Sequence, residues 1–308
     1  MQLTYIMKGF KMEKRYFESF DKTLVPYLFF ESARRESFKN NVVIFHGVTE
    51  HILRYEEFGK FLAMNGYNVF IPEIRGHGEL KKDEICNFGE KGIKGVFSDI
   101  DTFFKKELFP KGVNSLNTTV FGHSMGSLIA LKWVIENNYK YFILSGFPLQ
   151  MPKKVMEGRV FTLLEKLFFR KKSFLNREFK KYNEYFKPNV TGADWLTRDE
   201  REARKYEEDE FCGYPISPGV FSEIFKMMGF INRKYKKISK EGNFLVVYGT
   251  EDKAIDVKHV NKILDTLKRK RRRIKVLANS KGRHESLNET NKYAVYDEIL
   301  KWLNERGK

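Results

Sequence analysis

The pentapeptide Gly122-His123-Ser124-Met125-Gly126 fits G-x-S-x-G, directly after an apolar run, Thr118–Gly122, and directly before a helical stretch, Gly126–Asn137. On such a strand-to-helix turn a serine is held in strained backbone geometry with its hydroxyl exposed, and the flanking glycines avoid collisions with neighbouring elements. The helix N-terminus that follows favours the negative charge developing on a carbonyl oxygen under attack. The chemistry indicated is nucleophilic acyl transfer, which needs a base and an orienting carboxylate in the chain order Ser, Asp or Glu, His. Of the six histidines, His46, His51, His77 and His123 precede the serine and His259 falls in a helical stretch. His284, in a loop after the last apolar run, is therefore the expected base. The acid is expected at the C-terminal end of the preceding strand, where Gly249-Thr250-Glu251-Asp252 leaves the run Phe244–Tyr248. Asp252 is the expected acid and Glu251 or Asp256 the alternatives, because the intervening turn decides which carboxylate meets the imidazole. Two backbone N–H donors for the oxyanion are expected from Met125 and from Val48, in the loop His46-Gly47-Val48-Thr49-Glu50-His51. His46 and Gly47 are read as shaping that loop rather than transferring protons.

The elements that must position these groups follow from the hydrophobic pattern. Arg15–Phe20 and Leu24–Phe30 predict two antiparallel strands. Asn41–Phe45 and Asn68–Pro72 are short apolar runs separated by a helical stretch, Tyr55–Asn65, a βαβ unit that implies a parallel sheet. Thr118–Gly122 and Tyr141–Ser145 extend it. From Pro148 to Lys240 no strand-like run occurs; charge-rich helical segments punctuated by Pro and Gly take its place. Strands resume at Phe244–Tyr248 and Arg273–Leu277, with helices at Val257–Arg269 and Thr290–Glu305. The expected fold is α/β, a mostly parallel central sheet flanked by helices. Residues 1–147 and 241–308 would form its catalytic core and residues 148–240 an inserted helical cap.

Four spaced segments carry a family resemblance: HGVTEHILRY at 46–55, PEIRGHGE at 72–79, GHSMGS at 122–127 and GTED at 249–252. Together they resemble the monoacylglycerol lipase and bacterial lysophospholipase group of the α/β-hydrolase superfamily. That resemblance implies Ser124 as nucleophile, Asp252 as acid, His284 as base, and Val48 and Met125 as oxyanion donors. It further implies cleavage of a single long acyl chain from glycerol or a lysophospholipid through an acyl-enzyme, without metal or cofactor. Trp195-Leu196-Thr197-Arg198-Asp199 with Phe211-Cys212-Gly213 is similar to a segment of the lysophospholipase branch. The chain departs from the group at Glu79-Leu80 and at Lys253-Ala254, where Pro-Val is usual after the acid. The alternatives are a carboxylesterase or thioesterase acting on small soluble esters, or a non-catalytic binding module, which would ordinarily lack a triad member.

The charge and the cap bear on partners. Lys and Arg number 57 against 40 Asp and Glu, a net charge of +17 that acts on anionic surfaces at long range or reflects a lysine-rich composition. No apolar run reaches the 18 or so residues of a membrane span. Met1–Lys8 lacks a basic start and an apolar centre, so no secretory signal is expected and the cytoplasm is the expected compartment. Cys86 and Cys212 make neither a disulfide framework nor a zinc site. In the cap, Met156, Val160, Phe161, Leu163, Leu164, Leu167 and Phe168 recur at helical spacing and run into Arg170-Lys171-Lys172. Such a basic amphipathic helix either meets an anionic bilayer or packs on the enzyme's own core or acyl pocket. Phe221, Ile224, Phe225, Met227, Met228 and Phe230 predict a pocket wall or cap core. The run Lys268–Arg273 ends a helix and enters a strand, which favours a solvated edge over nucleic-acid binding. Glu207-Glu208-Asp209-Glu210 would hold a substrate amine, as in aminopeptidases of this fold, or be solvated surface. No feature sets an oligomeric state.

Overall fold

The computed structural model describes residues 12–34, 40–81, 84–168 and 171–306. The N-terminal segment read for a signal, and Arg170 of the basic run, lie outside them. An eight-stranded sheet forms the centre. Its strands are β1 (Met12–Glu18), β2 (Leu24–Phe30), β3 (Asn41–Phe45), β4 (Asn68–Pro72), β5 (Thr118–His123), β6 (Tyr141–Ser145), β7 (Asn243–Gly249) and β8 (Arg273–Asn279). Their order is β1-β2-β4-β3-β5-β6-β7-β8; β1 and β2 pair antiparallel, β2 meets β4 antiparallel, and every later pairing is parallel. This is the mostly parallel sheet of the α/β-hydrolase fold. β1 lies three residues earlier than the expected Arg15–Phe20, because Ser19–Thr23 closes the hairpin. There the Ser19 N–H donates to the Thr23 carbonyl at 2.8 Å, and Lys22 adopts φ +66°.

Alternation along the strands feeds two apolar layers, one on each face. Val43, Phe45, Val120 and Phe142 enter one, and Val42, Ile44, Phe121 and Ile143 the other. Each such buried side chain contributes about 1.5–3 kcal/mol relative to leaving it in water.

Helices α1 (Glu56–Met64), α2 (Gly92–Phe103) and α3 (Met125–Asn137) connect the first six strands. The sequence pattern did not announce α2, whose start carries Gly92 and Gly95; it is held by a buried stripe of Val96, Ile100 and Phe103. Between β6 and β7 come α4 (Pro152–Leu167), α5 (Arg177–Glu184), α6 (Glu200–Glu208) and α7 (Pro218–Lys234), and α8 (Val257–Arg269) and α9 (Lys292–Glu305) finish the chain. α7 packs on α3, and α4 packs on α7, so α4 is the outermost layer.

α4 is arranged against its own hydrophobic pattern. It buries Val155, Thr162 and Glu165 and leaves Met156, Val160, Leu163, Leu164 and Leu167 exposed. The buried Glu165 accepts from the Ser173 hydroxyl and the Phe174 N–H, both at 2.6 Å. Most of the apolar stripe expected either on a bilayer or on the protein's own core is thus not on the core; of its residues only Phe161 lines the cavity above Ser124.

Candidate active site

The loops that carry the candidate residues leave the C-terminal ends of β3, β5, β7 and β8, so the parallel sheet delivers them to one edge. β5 ends at His123 and α3 begins at Met125, which leaves Ser124 alone on the turn with φ +49° and ψ −120°. That conformation is unfavourable for a residue with a side chain. It is held by the Ser124 N–H donating to the Ser145 carbonyl and the Ser124 carbonyl accepting from the Ser127 N–H, both at 2.9 Å. The flanking glycines are forced by contact rather than by φ. A Cβ on Gly122 would lie 2.2 Å from the Gly126 carbonyl oxygen, and one on Gly126 would lie 2.1 Å from that of Phe45.

Ser124 Oγ is 2.9 Å from His284 Nε2, and His284 Nδ1 is 2.8 Å from Asp252 Oδ2. The other Asp252 oxygen accepts from the Ala254 N–H at 2.8 Å, and the carboxylate is buried. The Asp252 contact keeps the proton on Nδ1 and leaves Nε2 free to accept one. Burial works against the imidazolium, yet Asp252, followed by Glu285 and Glu50, raises the His284 pKa above its ordinary value. His123, whose ring lies 5.1 Å from that of His284, is shifted downward by burial. Of the alternative acids, Asp256 caps α8, accepting from the His259 N–H at 3.0 Å. The Glu251 N–H donates to the Gly282 carbonyl at 2.9 Å and the Asp252 N–H to that of Gly249 at 3.1 Å, which fixes the turn that aims Asp252 at the imidazole.

Val48 and Met125 line the same cavity as Ser124. Met125 opens α3, where helix geometry leaves the first N–H groups without intrahelical acceptors. The loop before Val48 is shaped by His46, whose Nδ1–H donates to the Gly47 carbonyl at 2.8 Å and whose Nε2 accepts from the Ile74 N–H at 3.0 Å.

The cavity above Ser124 holds about 910 Å³. From the second apolar stretch, Phe221, Ile224, Phe225 and Met228 face it, whereas Met227 is buried in the core and Phe230 packs beneath Lys132. The acidic run does not line it. Glu207 accepts from the Gly192 N–H at 2.9 Å and Asp209 binds His51 at 2.7 Å, so these carboxylates are not placed to hold a substrate amine there. The basic run closes α8 and enters the edge strand β8, with Arg272 donating to the Ile238 carbonyl at 2.6 Å.

Side chains to which no motif gives a role surround Ser124, His284 and Asp252. Trp195 lies over the His284 ring at 5.2 Å, and the Glu285 N–H donates to the Leu196 carbonyl at 2.7 Å. Arg54 forms a bidentate pair with Glu285. The one sequence signal for them was their adjacency to quoted motifs, Arg54 within HGVTEHILRY and Glu285 beside His284. Among the described residues, one group combines three potential metal ligands: His51, Asp209 and Cys212, with ligand atoms within 4.8 Å of one another. His51 and Asp209 already bond each other there, and the charge of Arg54 acts on Cys212. Both cysteines are free and buried, and burial pushes both thiols up.

The likeness to known proteins spans most of the chain. A Schizosaccharomyces pombe relative is 27% identical over 216 residues, 68% of this chain, so that the match spans about half, 53%, of that protein's length. Human monoglyceride lipase is 22% identical over 286 residues, which cover 86% of this chain and 82% of that enzyme. A thermostable carboxyl esterase of Bacillus coagulans, solved with glycerol, superposes with a TM-score of 0.82 at 21% identity over 96% of this chain and 99% of that one, a likeness of fold. The serine aminopeptidase, S33, family profile matches residues 36–291. With the strand order and the Ser124 turn already in place, that match settles the lineage: the chain belongs to the serine aminopeptidase S33 family of α/β-hydrolases.

Proposed function

We propose that the protein is a serine carboxylic ester hydrolase that cleaves single-chain acyl lipids, monoacylglycerols or lysophospholipids, through an acyl-enzyme. One observation carries the reading: an unbroken hydrogen-bonded line from Asp252 through His284 to Ser124 opens on a cavity of about 910 Å³ with a largely aromatic and aliphatic wall. That volume stands near the top of the roughly 300–1,000 Å³ range of small-ligand sites, room for a long chain as well as its headgroup.

In this reading Ser124 Oγ bonds to the ester carbonyl carbon as its proton passes to His284 Nε2. Asp252 holds the imidazolium, and the Val48 and Met125 N–H groups receive the charge on the carbonyl oxygen. The carbon–oxygen bond to the alcohol then breaks, and the leaving oxygen takes the proton from His284. Water, deprotonated by the same imidazole, releases the fatty acid and restores Ser124. Residues 148–240 serve as the cap that walls the acyl site. The named monoglyceride lipase relative supports a lipid substrate.

The outward apolar face of α4, followed by Lys171 and Lys172, supports peripheral contact with an anionic lipid surface. No described helix is long and apolar enough to cross a membrane. Assay of purified protein on lysolipids, monoacylglycerols, short soluble esters and peptide amides tests the proposal. Turnover of long single-chain esters above the rest is expected; cleavage of amides alone, or of short esters alone, overturns it.

A further inference from the structure

We propose that Glu50, Arg54 and Glu285 form a buried ionic clamp that fixes the oxyanion loop against the loop of the base, which makes Arg54 and Glu285 positioning residues for acyl transfer. The inference rests on the hydrolase reading above and deepens it. Arg54 Nη1 lies 2.6 Å from Glu285 Oε1, its Nη2 lies 2.8 Å from Glu285 Oε2, and Nη1 also reaches Glu50 Oε2 at 3.0 Å. Arg54 and Glu285 are 231 residues apart in sequence. Glu50 Oε1 accepts from the Gly47 N–H and from the Tyr55 hydroxyl, the latter at 2.8 Å. Glu285 also accepts from Asn288 Nδ2 at 2.9 Å, and the guanidinium lies over the Tyr206 ring at 4.8 Å.

What this cluster joins gives it meaning. Gly47 immediately precedes the oxyanion donor Val48, and Glu285 immediately follows His284. One guanidinium therefore spans the two loops whose separation sets where the carbonyl oxygen and the serine proton can go together. Its planar fork fixes direction as well as distance.

Stability alone accounts for the cluster poorly. The three side chains are 4–9% exposed, and desolvating such groups offsets most of their mutual attraction. Two carboxylates also share one cation, which leaves a net negative charge in the interior. That charge acts on His284 together with Asp252, and the rings of His123 and Trp195 lie 5.1 and 5.2 Å from the imidazole, Trp195 stacked on it. A net negative charge there favours the imidazolium formed when the serine loses its proton, and both glutamates act on His284 in that direction.

The test uses the full chain and a short soluble ester, with fluorophosphonate labelling rates, kcat, KM, the pH dependence of kcat/KM and thermal melting for each variant. Arg54→Met should lower kcat and labelling by about 10²-fold, the effect of a misplacement near 1 Å, with KM nearly unchanged. Arg54→Lys, which keeps the charge without the fork, should recover only part of that loss. Glu285→Gln, nearly isosteric, should move the rising limb of kcat/KM to lower pH because the imidazolium loses a stabilising charge. If Arg54→Met does not fold, Glu50→Gln and Glu285→Gln decide in its place. Folded variants with wild-type kcat and an unmoved pH limb overturn the clamp, as does a loss of activity that only follows the unfolded fraction. A wild-type protein that neither labels nor turns over ester refutes instead the hydrolase reading on which the clamp rests.

Discussion

Replacing Leu163, Leu164 and Leu167 of α4 and its C-cap Phe168 with serine should abolish the proposed binding of this face to lipid without harming the fold. These side chains are 56%, 48%, 63% and 78% exposed. A Leu or Phe side chain moved fully out of water is worth about 1.5–3 kcal/mol, so at these exposures each has roughly 1 kcal/mol or more still to gain from a bilayer. The four together amount to roughly 4 kcal/mol, about a thousandfold in partition constant. Glutamine at Lys171 and Lys172 removes a different contribution, about 1 kcal/mol per cation, present only on anionic membranes and weakened by salt. Sedimentation with phosphatidylcholine vesicles, with and without phosphatidylserine, separates the two. The serine variant should lose binding to both vesicle types, and the glutamine variant chiefly to the anionic one at low salt. Both should keep wild-type turnover of a short soluble ester and lose activity on dispersed long-chain substrate. Vesicle binding by the serine variant equal to wild type would refute the reasoning, and equal loss on soluble and dispersed substrates would make the face a structural support of residues 148–240.

Asp252→Asn should lower kcat by about 10³–10⁴-fold through the wrong imidazole tautomer, while Glu251→Gln and Asp256→Asn stay near wild type; steady-state kinetics of the three variants check the assignment. Because the His284 pKa is raised, activity that needs the neutral base is lost as pH falls through that raised value. The rising limb of kcat/KM should therefore lie above pH ~6.5, the ordinary imidazole value, and a limb below it would contradict the Asp252 contact. Gly126→Ala should destabilise by at least about 1–3 kcal/mol in chemical denaturation, since its Cβ would lie 2.1 Å from a carbonyl oxygen of β3.

The sequence made the sheet legible where short apolar runs stood between turn residues, as at Asn41–Phe45 and Tyr141–Ser145. It misjudged β1, because no periodic signal marks where the hairpin at Ser19–Thr23 turns, and it passed over α2, whose glycines weaken the local helical signal. Ser124 and His284 followed from motif context and chain order. Asp252 is the expected acid from its place after the strand, but Glu251 and Asp256 stay open as alternatives, since the choice depends on the backbone bonds of Glu251 and Asp252 across the turn. The amphipathic pattern of α4 was plain, but which face turned inward was not; burial of Thr162 and Glu165 depends on partners such as Ser173 and Phe174. The Arg54–Glu285 pair joins residues 231 apart, and no local pattern announces such a contact.

The most direct measurement is intact-mass and peptide-level detection of fluorophosphonate attachment to the wild-type protein and to Ser124→Ala. One adduct per chain, on the peptide containing Ser124, is expected for the wild type, and none for the variant, whose melting temperature should match. An adduct retained by Ser124→Ala, or a wild-type chain that takes none while folded, would contradict the assignment of Ser124 as the nucleophile.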